Sequence, residues 1–141
     1  MRTLTFTAVL ALAIASPAAP VPKEIKKSDP ERVRGVWLYG AYDFGGTPGA
    51  GGRWHFTADK LFSGGDNNTP AVEYGYALRP DRSPREIDIT QKDAVICLGI
   101  YKFEGADLHI AYAHTGERPK DHAPAAGKSL IVLTPSSESA K

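Results

Sequence analysis

At 141 residues, with a formal net charge of +1 and 42% hydrophobic content, the chain can bury one self-supporting core, and its charge is too balanced for a nucleic-acid binder, which concentrates Lys and Arg on one surface. A single cysteine excludes an internal disulfide, so packing alone must hold the domain.

The N-terminus carries Arg2, an apolar stretch from Leu4 to Ile14, and the small-x-small triplet Ala13-Ile14-Ala15. This is the pattern of a secretory signal peptide over residues 1–15, so the mature chain is expected to start near Ser16 in a periplasmic or extracellular setting. An apolar run of about ten residues falls short of the roughly 20 that cross a bilayer core. No later segment approaches that length, and no membrane span is expected. Cys97, the only cysteine, lies too far along the chain to accept a lipid next to the signal.

Residues 16–28 are rich in Ala, Pro and Lys and read as a disordered linker, with Lys23, Lys26 and Lys27 as a solvated tether. Asp29-Pro30-Glu31 reads as a helix start, with Asp29 as N-cap and Pro30 at the first helical position, ended a turn later by Gly35. A first strand follows from Val36 to Phe44, placing Trp37, Tyr39 and Ala41 on one face. The Gly45 to Gly52 run favours a flexible loop over any ladder.

Arg53 to Thr57 alternates Trp54 and Phe56 against Arg53 and His55, and a turn at Ala58-Asp59 leads into a strand over Lys60 to Ser63. Gly64 to Asn68 closes that unit as a turn. Val72, Tyr74, Tyr76 and Leu78 then recur every second residue, before Pro80 and Pro84 break the chain. Glu86 to Thr90 alternates again, with Ile87 and Ile89 inward and its acids, together with Asp81, on a solvated edge.

The strongest signal is a β-hairpin. Val95 to Phe103 and Leu108 to Ala113 flank the polar tetrapeptide Glu104-Gly-Ala-Asp107, and Tyr101, Phe103, Leu108, Ile110 and Tyr112 keep a period of two across it, with Lys102 and His109 on the other face. Ile96, Leu98 and Ile100 are apolar on that other face as well, so this strand is either covered on both sides, with the N-terminal helical turn as the candidate cover, or leaves a patch that another chain could use. A polar loop from Thr115 to Gly127 precedes a last strand over Ser129 to Thr134. Seven or eight short strands with one minor helix predict an all-β, small antiparallel lipocalin-like barrel over residues 29–135, closed by a polar tail at 136–141.

Gly35-Val-Trp37, Trp54-His-Phe-Thr-Ala-Asp-Lys60, Arg85-Glu-Ile-Asp-Ile-Thr90, Gly99-Ile-Tyr-Lys-Phe-Glu-Gly105 with Leu108-His-Ile-Ala-Tyr112, and Gly116-Glu-Arg-Pro119 occur in an order that resembles an uncharacterised small exported domain family expanded in Planctomycetes. The resemblance covers about Arg32 to Thr134 and implies a lipocalin-type barrel without an activity. Gly35 to Trp37 is also similar to the first-strand signature of lipocalins, in which an Arg of the last strand packs on the Trp. Here Lys128 stands before that strand instead.

No motif in the sequence specifies an activity. It holds no Gly-x-Ser-x-Gly elbow, no phosphate-cradling Gly-x-x-x-x-Gly-Lys-Ser/Thr and no His-Glu-x-x-His. Asp66-Asn67-Asn68 lacks the acidic residue that completes a calcium loop. His114 and His122 share a loop with Glu117 and Asp121, which are zinc-ligand types at a spacing that matches no ligand pattern. No metal or cofactor is expected, and Cys97 reads as an inert small hydrophobe. The chain is therefore read as a non-enzymatic exported binding or interaction module, meeting an envelope partner through Phe44 to Gly52 and Thr115 to Gly127. The alternatives are a carrier of a small apolar ligand inside the barrel and a metal-dependent enzyme on the His114/His122 loop. For the carrier, Trp37, Tyr74, Tyr76, Tyr101 and Tyr112 are the candidate lining residues, and an internal void of at least about 300 Å³ would favour it over a filled core.

Overall fold

The structure, a computed structural model, describes residues 25–40, 42–44, 47–65 and 70–137. The signal pattern, most of the linker, Asp66-Asn67-Asn68 and the end of the tail lie outside them. The described chain forms α1 (Asp29–Val33) and ten strands: β1 (Gly35–Tyr39), β2 (Tyr42–Phe44), β3 (Thr47–Gly49), β4 (Gly52–Phe56), β5 (Lys60–Ser63), β6 (Val72–Arg79), β7 (Glu86–Gln91), β8 (Ala94–Glu104), β9 (Asp107–Ala113) and β10 (Ser129–Pro135).

Eight of them close into an antiparallel barrel in the order β1-β4-β5-β6-β7-β8-β9-β10, with β10 returning to β1 through Trp37↔Pro135 and Leu38↔Thr134. Along the barrel each strand is followed in sequence by its neighbour, except that β1 reaches β4 through β2 and β3. The start of β10 pairs instead with β2, through Ser129↔Phe44 and Leu130↔Asp43, and β2 carries β3 as an added hairpin.

The strand read over Val36 to Phe44 begins one residue earlier and is interrupted at Gly40, so β1 and β2 are separate. The Gly45 to Gly52 run is not all loop, because β3 lies inside it and Gly52 opens β4. Glycine lowers strand propensity, but pairing to β2 supplies the ladder that local sequence does not. Gly52 also has a packing reason: a Cβ there would collide with the Tyr39 hydroxyl.

The N-cap of α1 is Ser28, one residue before the expected Asp29. Its backbone N–H and hydroxyl both donate to Glu31 Oε2, at 2.8 and 2.7 Å, and this accounts for the position of the start. Freed from capping, Asp29 turns its carboxylate toward the barrel, where it accepts from Tyr101 Oη at 2.9 Å and pairs with Arg85 at 3.2 Å. The helix thus plugs one barrel end. Val33 is fully buried, its carbonyl accepts from Trp37 Nε1 at 2.7 Å, and the Arg32 guanidinium lies 3.7 Å from the centre of the Phe103 ring.

α1 does not cover the outer face of β8. Ile100 and Ala111 are paired outward across β8 and β9 and are fully buried. The segment following β9 supplies Arg118, whose Nη1 bridges the carbonyls of Gly99 at 2.6 Å and Ile87 at 3.2 Å while Nη2 reaches Asp88 Oδ1 at 2.5 Å. Asp88 is accordingly buried rather than on a solvated edge.

Replacing Tyr101 with Phe removes a hydrogen bond to a charged acceptor and is expected to lower stability by about 2 kcal/mol in urea denaturation. An unchanged midpoint would show that the helical plug is not anchored through that hydroxyl.

Candidate functional site

The barrel interior divides along its axis. At the plugged end the rings are fixed by their polar atoms: Trp37 on Val33, Tyr101 on Asp29, and Tyr76, whose hydroxyl donates to the carbonyl of Thr57 at 2.6 Å. Phe56 packs edge-on against Tyr76, with ring centres 5.1 Å apart, and fills the middle. Above it Trp54 makes an edge contact with Phe56 at 5.9 Å and meets Tyr39 at 6.2 Å and Tyr112 at 6.5 Å.

That layer is the floor of a cup at the other end. The cup has a volume of about 260 Å³, and its walls are Tyr39, Tyr74 and Tyr112 among the aromatics with Leu61, Ile89 and Ile131 among the aliphatics. Ser63, Cys97 and His114 supply the polar part of the lining. The volume lies a little below the threshold set from sequence because the lower half of the interior is occupied by side chains. It still exceeds the roughly 150 Å³ that holds a benzene molecule in an apolar cavity.

Of the five residues read as lining a cavity, the structure brings Tyr74 and Tyr112 to the cup. Trp37, Tyr76 and Tyr101 belong to the packed half. Tyr39, Trp54, Ile96, Cys97 and His114 were not among the five and all line the cup.

Cys97 and His114 meet one step beyond the last β8–β9 pair, Leu98↔Ala113. Sγ lies 3.2 Å from His114 Nδ1, and Tyr112 packs edge-on against the imidazole with ring centres 5.3 Å apart. Burial pushes the Cys97 thiol up to about 11, so at neutral pH the sulfur keeps its proton beside Nδ1. The inert reading of Cys97 misses this partner. A bulge aims the thiol: β7 and β8 shift register between Ile89↔Cys97 and Thr90↔Val95, leaving Ile96 as the extra residue.

His122 takes no part in the cup. It bonds to the backbone of His109, and burial first, then the nearby Lys102, lowers its proton affinity below the usual histidine value. The loop that held both histidines in sequence sends them to different partners, and among the described residues no three His, Cys, Asp or Glu side chains are placed to hold a metal ion.

The loop between them is held to the wall by ions. Arg118 and Arg79 flank Asp88, at 2.5 and 2.7 Å, and both also approach Glu86, while Lys128 Nζ pairs with Asp121 at 2.9 Å. Burial alone would raise the Asp88 carboxyl, but the hydrogen bonds from Arg79 and Arg118 outweigh it and hold the group below its ordinary 3.8.

No family model, curated protein or solved structure matches the chain.

A carboxyl held low in the folded state stabilises the fold above its unfolded pKa, and that contribution disappears as pH falls through the folded value. Arg118→Ala is therefore expected to cost about 3 kcal/mol at neutral pH, by leaving Asp88 short of a partner, and clearly less in strong acid, once pH falls through the lowered value of the folded carboxyl. Urea denaturation of wild type and variant at the two pH values measures this. An equal cost at both would assign the role of Arg118 to packing alone.

Proposed function

We propose that this chain is a non-enzymatic exported binding protein that holds a small, largely apolar molecule of about single-ring size in the open half of its barrel. The observation that carries this reading is the cup itself: an aromatic floor and aliphatic walls around about 260 Å³, with hydroxyl, thiol and imidazole groups in the lining. A mostly apolar concavity with a few convergent polar groups is the usual form of a small-molecule site. Stacking against Trp54, Tyr74 and Tyr112 favours a flat carbon skeleton.

Recognition of an envelope protein through loops is the weaker reading. Arg118 commits the longer loop to the barrel's own wall, so it is not a free arm. Export belongs to the proposal and rests on Arg2, the apolar stretch to Ile14 and Ala13-Ile14-Ala15. Kinship with the small exported domains rests likewise on the ordered landmarks from Gly35-Val-Trp37 to Arg118-Pro119.

Titrating the isotope-labelled chain with indole should give saturable shifts of amide signals around Trp54, Tyr74 and Tyr112. Ser63→Phe fills the cup from its half-buried rim and is expected to weaken binding by about tenfold or more, a loss of about 1.4 kcal/mol, while the thermal midpoint holds. Shifts that never saturate across a panel of single-ring compounds, or that survive Ser63→Phe intact, would overturn the assignment of the cup.

A further inference from the structure

We propose that Cys97 and His114 form a covalent capture site, at which a small α,β-unsaturated carbonyl compound held in the cup adds to the thiol. This deepens the ligand reading above and rests on it. Three observations converge on one place. The thiol and Nδ1 are 3.2 Å apart, within reach of a direct proton transfer. Both residues line the cup. The bulge at Ile96 sits immediately before Cys97 and turns the strand there, a device that re-aims side chains beside reactive sites.

The pairing is asymmetric. Cys97 is 4% exposed, whereas His114 stands at the exposed rim. Buried among apolar neighbours, the thiol holds its proton at neutral pH, so free thiolate does not accumulate and the sulfur stays protected from casual oxidation. Reaction then requires a base at the moment of attack, and His114 is positioned to be that base.

Conjugate addition asks for no more than this pair supplies. The S–H proton passes to His114 Nδ1 while the sulfur lone pair forms a C–S bond to the β-carbon. The carbon–carbon π pair moves toward the carbonyl as an enolate, and the imidazolium returns the proton to the α-carbon. One S–H has been added across one C=C, the imidazole is regenerated, and no oxidant, water or leaving group takes part. Acyl transfer would in addition need a protonated leaving group. The hydroxyl-bearing side chains of Ser63, Tyr39 and Tyr74, on the same lining, supply donor types suited to the carbonyl oxygen, and the apolar walls receive the carbon ring.

The probe is 2-cyclohexenone, a single-ring enone, incubated with the purified full chain and followed by intact mass and peptide mapping. Wild type is expected to gain one probe molecule, on Cys97, with the rate reduced by a saturating excess of cyclohexanone, which has the same ring and no activated double bond. His114→Ala is expected to slow the addition by about a hundredfold, and added imidazole to restore part of the rate.

Absence of an adduct on the folded chain, an equal rate in His114→Ala, or a loss that imidazole leaves untouched would each overturn the capture site. Cyclohexanone binding to Cys97→Ser, read by amide shifts, separates the two levels. If it binds there while the enone fails to react, the cup stands without its chemistry. If neither occurs, the cup reading falls with it.

Discussion

An eight-stranded barrel encloses a space about as wide as the side chains that point into it. Its interior is therefore apportioned layer by layer along the axis, and here the apportionment is decided by where the large rings find partners. Below Trp54, each buried polar ring atom reaches a fixed acceptor: Trp37 the carbonyl of Val33, Tyr76 that of Thr57, Tyr101 the carboxylate of Asp29. A buried hydroxyl without a partner carries a cost of about 1–3 kcal/mol, so these three bonds set both the rotamers and the position of the plug. Above Trp54, smaller residues on the same inward register, Leu61, Ser63, Cys97 and Ile131, leave the volume that the rings below have taken.

The outer wall follows a complementary logic. Ile100 and Ala111 would present apolar surface to water if β8 and β9 faced solvent on one side. The segment after β9 folds back and inserts Arg118, whose guanidinium satisfies two main-chain carbonyls and Asp88 together. A planar, five-donor cation suits that task better than an ammonium. The same loop begins with His114, so the clasp that covers the wall also fixes the residue standing at the rim of the cup.

Much of the barrel was legible in the alternation of single strands. Trp54 with Phe56, Tyr74 with Tyr76 and Leu78, and the hairpin flanking Gly105 each keep a period of two that only a half-buried strand requires. What could not be read locally was set by partners distant in sequence. β3 exists because β2 lies beside it, Asp88 is buried because a residue thirty positions later covers it, and Ser28 displaces Asp29 as N-cap because Asp29 has a tertiary partner in Tyr101. Which tyrosines line the cup and which fill the barrel depends on axial height, and alternation reports only the face.

The Cys97–His114 pair was latent in the hairpin. Phe103↔Leu108 beside the turn fixes the register, and counting outward pair by pair through Tyr101↔Ile110 and Gly99↔Tyr112 brings Cys97 opposite His114. Both then share the inward face with Tyr112, because direct partners in an antiparallel ladder lie on one side of the sheet. Reading the histidines along the loop grouped His114 with His122, since sequence proximity favours neighbours in a loop. Register groups His114 with a residue seventeen positions away, and in a sheet it is register that decides which side chains touch.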